Sequence, residues 1–227
     1  MNKLKISLIL NATNVIIIIL AIVIKVFDLN FMGEYAIEEL VNVRAHQYFT
    51  FDSNVLLGIS SLILVIYEIL FLKNIIKLIP KWVVLLKYVS TSAVTLTMVT
   101  VIIFLAPFAP YGYFSMFLNS NLVFHLFGPL IAIISFAFFE ETNSINRKEV
   151  LLGIVPSILY GFYYIPNIII HMENGVAPYA YDWYGFSRKG VLPFIIITIV
   201  FIFATYLFSF ILYYLNKKRY FKKNWGW

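Results

Sequence analysis

The chain has 227 residues, 62% of them hydrophobic and only 12% charged, with a formal net charge of +6 and no cysteine. That balance excludes an ordinary soluble domain, in which about a quarter of residues carry charge. The missing thiols exclude disulfides, thiolate nucleophiles and cysteine-held metals.

Apolar runs long enough to cross a hydrocarbon core, which takes roughly 20 helical residues, recur six times, near residues 5–27, 48–72, 82–106, 118–139, 150–172 and 191–215. The alternation of an outer-membrane barrel is missing, and the unbroken stretch from Asn14 to Val26 demands a helix, whose backbone polar groups are satisfied within the segment. The predicted fold is an all-α integral membrane protein, a six-transmembrane-helix bundle forming one domain over 1–227. The first run follows Lys3 and Lys5 as a signal peptide would, but its length and the lack of a small-residue cleavage site predict a retained span. With the N terminus inside, twelve basic residues fall in cytoplasmic segments: Lys3, Lys5, Lys73, Lys77, Lys81, Arg147, Lys148 and the five of the tail. Four, Lys25, Arg44, Arg188 and Lys189, fall outside, and this bias predicts that both termini are cytoplasmic. The acids Asp28, Glu34, Glu38, Glu39, Asp52, Glu173 and Asp182 then lie outside. The tail KKRYFKKNWGW predicts contact with anionic lipid headgroups rather than nucleic acid, and the expected location is a plasma membrane.

In the second run, steps of three or four from His46 give Thr50, Asn54, Gly58, Ser61, Val65 and Glu68, which fall within about a third of a helix circumference. A face that is polar along its depth belongs inside a bundle, with Gly58 and Ser61 allowing close helix approach. Glu68 and, on the third run, Lys87 lie at similar distances from the loop 73–81, so an ion pair between neighbouring helices is expected. A proton or ion pathway through Glu68 is the other reading.

The stripe of the fourth run is Asn121, His125, Gly128 and Pro129; at about 1.5 Å per residue His125 lies roughly 10 Å inside the outer boundary, a level that Thr50 also reaches. The fifth run repeats the spacing with Tyr160, Tyr164, Asn167 and His171, and Pro156, Gly161 and Pro166 predict a kinked helix beside a lateral cavity. The following PYAYDWYGF either caps that cavity or forms an interfacial aromatic belt. All three histidines, His46, His125 and His171, therefore sit towards one side of the membrane.

A threonine hydroxyl becomes an effective nucleophile when a base takes its proton, and histidine has a pKa suited to that exchange. Thr50 with His125 predicts acyl transfer to threonine followed by hydrolysis, with Asn54 or Asn121 orienting the base or stabilising the oxyanion. His46, Asp52, Ser61, Tyr164, Asn167 and His171 are candidate lining residues. No cofactor is expected; the partners are membrane lipids and a lipid-like ester, and the sequence leaves the oligomeric state open. Two other classes compete. His46, His125 and His171 with Asp52, Glu173 or Asp182 could ligate zinc, although no H-E-x-x-H pattern pre-forms such a site. A non-catalytic membrane protein or carrier with broken helices at Pro156 and Pro166 is the second.

QYFTFDSNVLL at the head of the second run and NLVFHLFGPLIA in the fourth resemble the androgen-induced-gene type of six-span threonine hydrolases. PSILYGFYYIP in the fifth run and the DWYGF loop follow in the same span order. The resemblance implies an intramembrane esterase in which Thr50 is the nucleophile and His125 is essential, acting on fatty acid esters of hydroxy fatty acids. Ser53 with Asn54, and the DWYGF loop, are closer to the uncharacterised bacterial branch of that family than to its animal enzymes.

Overall fold

The structure, a computed structural model, describes residues 3–32, 45–140, 145–178 and 180–224, with the side chains of 189, 191 and 219–224 left out. Of the charges used above to orient the chain, Glu34, Glu38, Glu39 and Arg44 and the side chains of Lys189, Arg219, Lys222 and Lys223 lie outside the described residues.

Six helices are long and apolar enough to cross a membrane, and no strand occurs among the described residues. They are α1 (Lys3–Val26), α2 (Phe49–Leu72), α3 (Lys81–Phe108), α4 (Ser120–Phe138), α5 (Arg147–Ile170) and α6 (Val191–Asn224). The first five coincide within a few residues with apolar runs, and α6 starts with the sixth run and continues nine residues past it. Short-range signals set several ends. Asp28 and Asn74 adopt left-handed backbone, with φ 51° and 58°. Beyond each, Leu29 and Ile75 donate five residues back to Ile24 and Leu70, both at 2.9 Å, which closes the last turns of α1 and α2. At the start of α5, Asn146 and Glu149 form a reciprocal capping box, and Lys81 reaches Glu149 at 2.5 Å to hold the starts of α3 and α5 together.

The end where α1, α3 and α5 finish and α2, α4 and α6 begin is called the rim here; the chain termini lie at the opposite, tail end. α1 packs on α2 and α4, and α3 touches α2, α4, α5 and α6, which makes α3 the axis of the bundle. In its most apolar window 56% of residues are buried, against 17% in α5 and in α6. Residues 90–97, STSAVTLT, are buried on every side. Three of their five hydroxyls bond to helix partners: Ser90 pairs with Ser60 at 2.6 Å, Thr97 with Ser53 at 3.1 Å, and Thr95 donates to the Thr91 carbonyl at 2.7 Å, whereas Thr91 Oγ1 and Ser92 Oγ are buried without a partner among the described residues. Small side chains let helix backbones approach closely, and these contacts run beside buried apolar clusters such as Tyr88 with Phe136 and Ile18 with Leu57.

The overall distribution is inverted relative to a soluble protein. Asn11, Asn14, Asn54, Lys87, Ser92 and Ser209 are fully buried, while Ile16, Phe162, Ile170, Ile199 and Phe203 are exposed. Close approach is most demanding at two glycines. A Cβ on Gly58 would come within 3.1 Å of Ile18 on α1, in line with the small-residue contact expected there. A Cβ on Gly153 would lie 1.9 Å from Ser209 Oγ, 2.7 Å from Ser209 Cβ and 3.0 Å from Ser92 Oγ, where α5, α6 and α3 converge.

Because Ser209 Cβ cannot rotate away, Gly153→Ala forces a helix to shift, an overpacking cost of about 1–3 kcal/mol. The thermal midpoint of purified Gly153→Ala protein is expected to fall by several degrees relative to wild type, and Gly161→Ala, where only Ile165 Cδ1 at 3.8 Å is near, to leave it unchanged.

Candidate functional site

Thr50 sits in the first turn of α2, half-buried, and its hydroxyl has no hydrogen-bond partner among the described residues. His125 lies on α4, 5% exposed, inside a π turn spanning Val123–Phe127. The extra residue of a π turn changes the direction of the side chains on it, and such turns are frequent at functional sites.

The two side chains line one chamber of about 240 Å³ at the rim, together with Lys25, Met116, Asn121 and Tyr184. His125 Nδ1 lies 2.6 Å from the Met116 carbonyl oxygen, which can only accept. Nδ1 therefore carries the hydrogen, and Nε2 keeps a lone pair. Phe117, in the same short helix as Met116, packs edge-on to the imidazole with centroids 6.3 Å apart. A second, almost wholly apolar cavity of about 390 Å³ lies between α2, α3, α5 and α6. Thr50, Leu105 and Tyr184 line both spaces, so the threonine stands at their junction.

Asn54 fixes this junction. Its Nδ2 donates to the Thr50 carbonyl at 2.8 Å and to the Phe124 carbonyl at 3.0 Å, which ties the first turn of α2 to the residue preceding His125. Both amide hydrogens are then spent, so the oxyanion role expected of Asn54 is corrected to a positioning one. Gly128 makes room for it, since a Cβ there would meet Asn54 Oδ1 at 3.2 Å. Asn121 keeps its place on the chamber wall.

The other candidates separate. His46 lies exposed on the short turn Ala45–Gln47, Asp52 is exposed, and neither lines either cavity. His171 stacks on Tyr181, with ring centroids 3.4 Å apart, and pairs through Nδ1 with the Asn167 carbonyl at 2.8 Å. The histidines thus share the rim but not a site, and no cluster of three or more His, Asp or Glu side chains able to hold a metal occurs among the described residues. Asn167 lines neither cavity, and Tyr164 lines the apolar one. Ser61 lies deeper and accepts from Lys87 Nζ at 2.8 Å. The Glu68–Lys87 ion pair is also corrected: Glu68 accepts instead from Ser7 at 2.5 Å, and the ion pair described, within 4 Å, is Lys81–Glu149. Equal depth put the two charges at one level, but the rotation of each helix turned Glu68 towards α1.

The loop 182–186 is the lid of both spaces as well as an aromatic surface. Trp183 Nε1 donates to Tyr160 Oη at 2.8 Å, Tyr160 donates to the Gln47 carbonyl at 2.6 Å, and Tyr184 Oη accepts from the Phe49 N–H at 3.1 Å. Asp182 organises the loop by accepting from the Tyr164 hydroxyl, the Ser187 hydroxyl and the Phe186 and Ser187 N–H groups. Lys25 and Met116 are site residues that helical spacing did not reveal, Lys25 having entered only as a charge for orientation, while Tyr184 belongs to the segment expected to cap the cavity or form a belt.

No protein-family model matches the chain, and no curated protein or solved structure matches it. The class is therefore defined by the architecture alone: an all-helical protein with six helices long and apolar enough for a membrane.

Burial opposes ionisation of Asp182, but its four donors outweigh it and hold the carboxyl below the usual carboxylate range. A lowered folded-state pKa stabilises the loop at all pH values above the unfolded pKa of about 3.9, and that contribution is lost as pH falls through the folded value. Deuterium uptake over 177–187, corrected for intrinsic exchange, is expected to stay flat from pH 7 to about 5 and to rise only near and below about 4. In Asp182→Ala it is expected to be raised throughout.

Proposed function

We propose that this protein is an intramembrane ester hydrolase of a bacterial plasma membrane, with both termini cytoplasmic, Thr50 as nucleophile and His125 as general base. The observation that carries the reading is the junction at Thr50: a threonine with an unengaged hydroxyl lines one chamber with a histidine whose free nitrogen is an acceptor, and borders an apolar cavity in the size range of small-molecule sites. Insertion in a bilayer is supported by the apolar exterior and polar interior, and orientation by the basic residues near the tail end.

Thr50 Oγ1 attacks the ester carbonyl carbon and gives its proton to His125 Nε2; the tetrahedral intermediate expels the alcohol, which takes that proton back, and leaves acyl-threonine. Water, deprotonated by His125, then attacks the acyl carbon, and the Thr50 oxygen leaves with the proton, releasing the carboxylic acid. Asn121 is the amide available to the oxyanion, and Lys25 on the same wall offers a positive charge to an acidic head of the alcohol. The apolar cavity takes the acyl chain, which enters past the exposed Phe162 and Ile202 on the flank of α5 and α6. A fatty acid ester of a hydroxy fatty acid has both features, and the resemblance of the QYFTFDSNVLL and NLVFHLFGPLIA segments to the threonine hydrolases described above supports that substrate class.

Hydrolysis of a panel of lipid esters by purified protein is expected to vanish in Thr50→Ala and to fall by about 10²-fold or more in His125→Ala. Labelling by a fluorophosphonate should disappear with it, at unchanged membrane yield. Ester turnover unaffected by Thr50→Ala sinks the proposal. Gly161→Leu, which projects into the apolar cavity with room for its Cβ, is expected to shift preference towards shorter acyl chains while leaving short-chain kcat near wild type.

A further inference from the structure

The bundle holds a second concentration of chemistry that the proposed hydrolase does not use, at the tail end, between α1, α2, α3 and α4. Glu68 on α2, Lys87 on α3 and Glu140 just after α4 are each at least 96% buried, at 1%, 0% and 4% exposure. A chain of hydrogen bonds links the two carboxylates. Ser7 Oγ donates to Glu68 Oε1 at 2.5 Å; Asn11 Nδ2 reaches Ser7 Oγ at 3.2 Å and Glu140 Oε1 at 3.2 Å; Ser135 donates to Glu140 Oε1 at 2.8 Å. Lys87 acts electrostatically on both acids and gives a hydrogen to Ser61.

Two features of this network point to an occupant. The first is charge: two buried carboxylates share the influence of one buried ammonium, which bonds to Ser61 and pairs directly with neither among the described residues, leaving one negative charge uncompensated, which is costly in the interior of a bundle. The second is polarity of what is left over. Each carboxylate uses one oxygen and keeps the other without a partner, and Asn11, fully buried and bonded through Nδ2 into the chain, keeps its Oδ1 unpartnered. Glu68 Oε2, Glu140 Oε2 and Asn11 Oδ1 are all acceptors. A deficit of donors and of positive charge, lined with carboxylate and amide oxygens, is the donor set of a hard monovalent cation; a neutral or anionic guest would leave the charge unanswered.

We infer that Glu68, Glu140 and Asn11 form a binding site for one monovalent cation, either a proton taken up by one of the carboxylates or sodium held by the spare oxygens. Lys87 supplies the fixed countercharge that limits the site to a single positive charge. The ligands come from α1, α2 and the end of α4, and Asn216 of α6 holds the Phe136 and Glu140 carbonyls at 2.6 and 3.1 Å, so occupancy draws four helices together. The cation therefore acts on the stability of the bundle from the end opposite Thr50.

The test is thermal unfolding of the full-length protein in nanodiscs. At pH 8.5 and fixed ionic strength, exchange of N-methylglucamine for sodium is expected to raise the midpoint saturably, by about 5 °C. With no sodium, lowering the pH from 8.5 to 6 is expected to give a comparable rise. A rise with sodium identifies an alkali cation as occupant, and a rise with acid alone identifies the proton. Glu140→Gln, which keeps the shape and removes one charge, should abolish either response; if it yields no folded protein, Glu68→Gln serves instead. A midpoint indifferent to both sodium and pH, or a response retained unchanged in these variants, overturns the inference. Hydrolysis at Thr50 is not read in this experiment.

Discussion

Most polar groups inside this bundle are answered by other protein groups, because its exterior is largely apolar. That constraint decides where α3 sits. A helix whose middle is Ser90–Thr97 offers hydroxyls in every direction, and only a position surrounded by other helices lets them reach Ser53, Ser60 and nearby carbonyls. Once α3 is the axis, the glycines and serines of its neighbours follow: Gly153 and Ser209 meet beside Ser92 because nothing larger fits between three converging backbones. Close contacts between small side chains and hydroxyl pairs join the helices alongside buried apolar clusters such as Tyr88 with Phe136 and Ile18 with Leu57, while many other large apolar groups are turned outward.

The rim uses the same currency to hold reactive groups in place. Asn54 spends its whole donor capacity on two carbonyls, one on the Thr50 turn and one beside His125, so the two helices carrying the candidate residues cannot slide independently. The Met116 carbonyl fixes the imidazole tautomer in the same way. Above them the 182–186 loop is drawn down by the Asp182 carboxylate and by the Tyr160, Tyr164 and Tyr184 hydroxyls, which makes the aromatic residues at this end a roof with defined hydrogen bonds.

Run length and helical spacing made much of this legible. The six apolar runs coincide with six helices, the small-residue face at Gly58 meets α1, and the height of Thr50 in α2 matched that of His125 in α4 closely enough for both to reach one chamber. Spacing reports height along an axis well and rotation about it poorly. For that reason Glu68 and Lys87, level with each other, turned out to face different partners, and His46 and His171, level with His125, lie outside its chamber. The central role of Ser90–Thr97 was hidden because a helix buried on all sides has no stripe to read. Lys25 was hidden because a cation at the end of an apolar run is already accounted for as one of the charges that set orientation.

The π turn at Val123–Phe127 carries a consequence for how such a chain can change. The aim of the imidazole is stored as one surplus residue in the helix, not as a property of the histidine. Deleting a single residue there would return α4 to regular pitch and swing everything on its rim side through about 100° relative to Gly128–Phe138. The apolar length would survive almost untouched while the imidazole lost its view of the chamber. Sequence drift that preserves hydrophobicity can therefore erase the site without a single substitution in it, and a length difference of one in this segment separates chains that keep the geometry from chains that keep only the bundle.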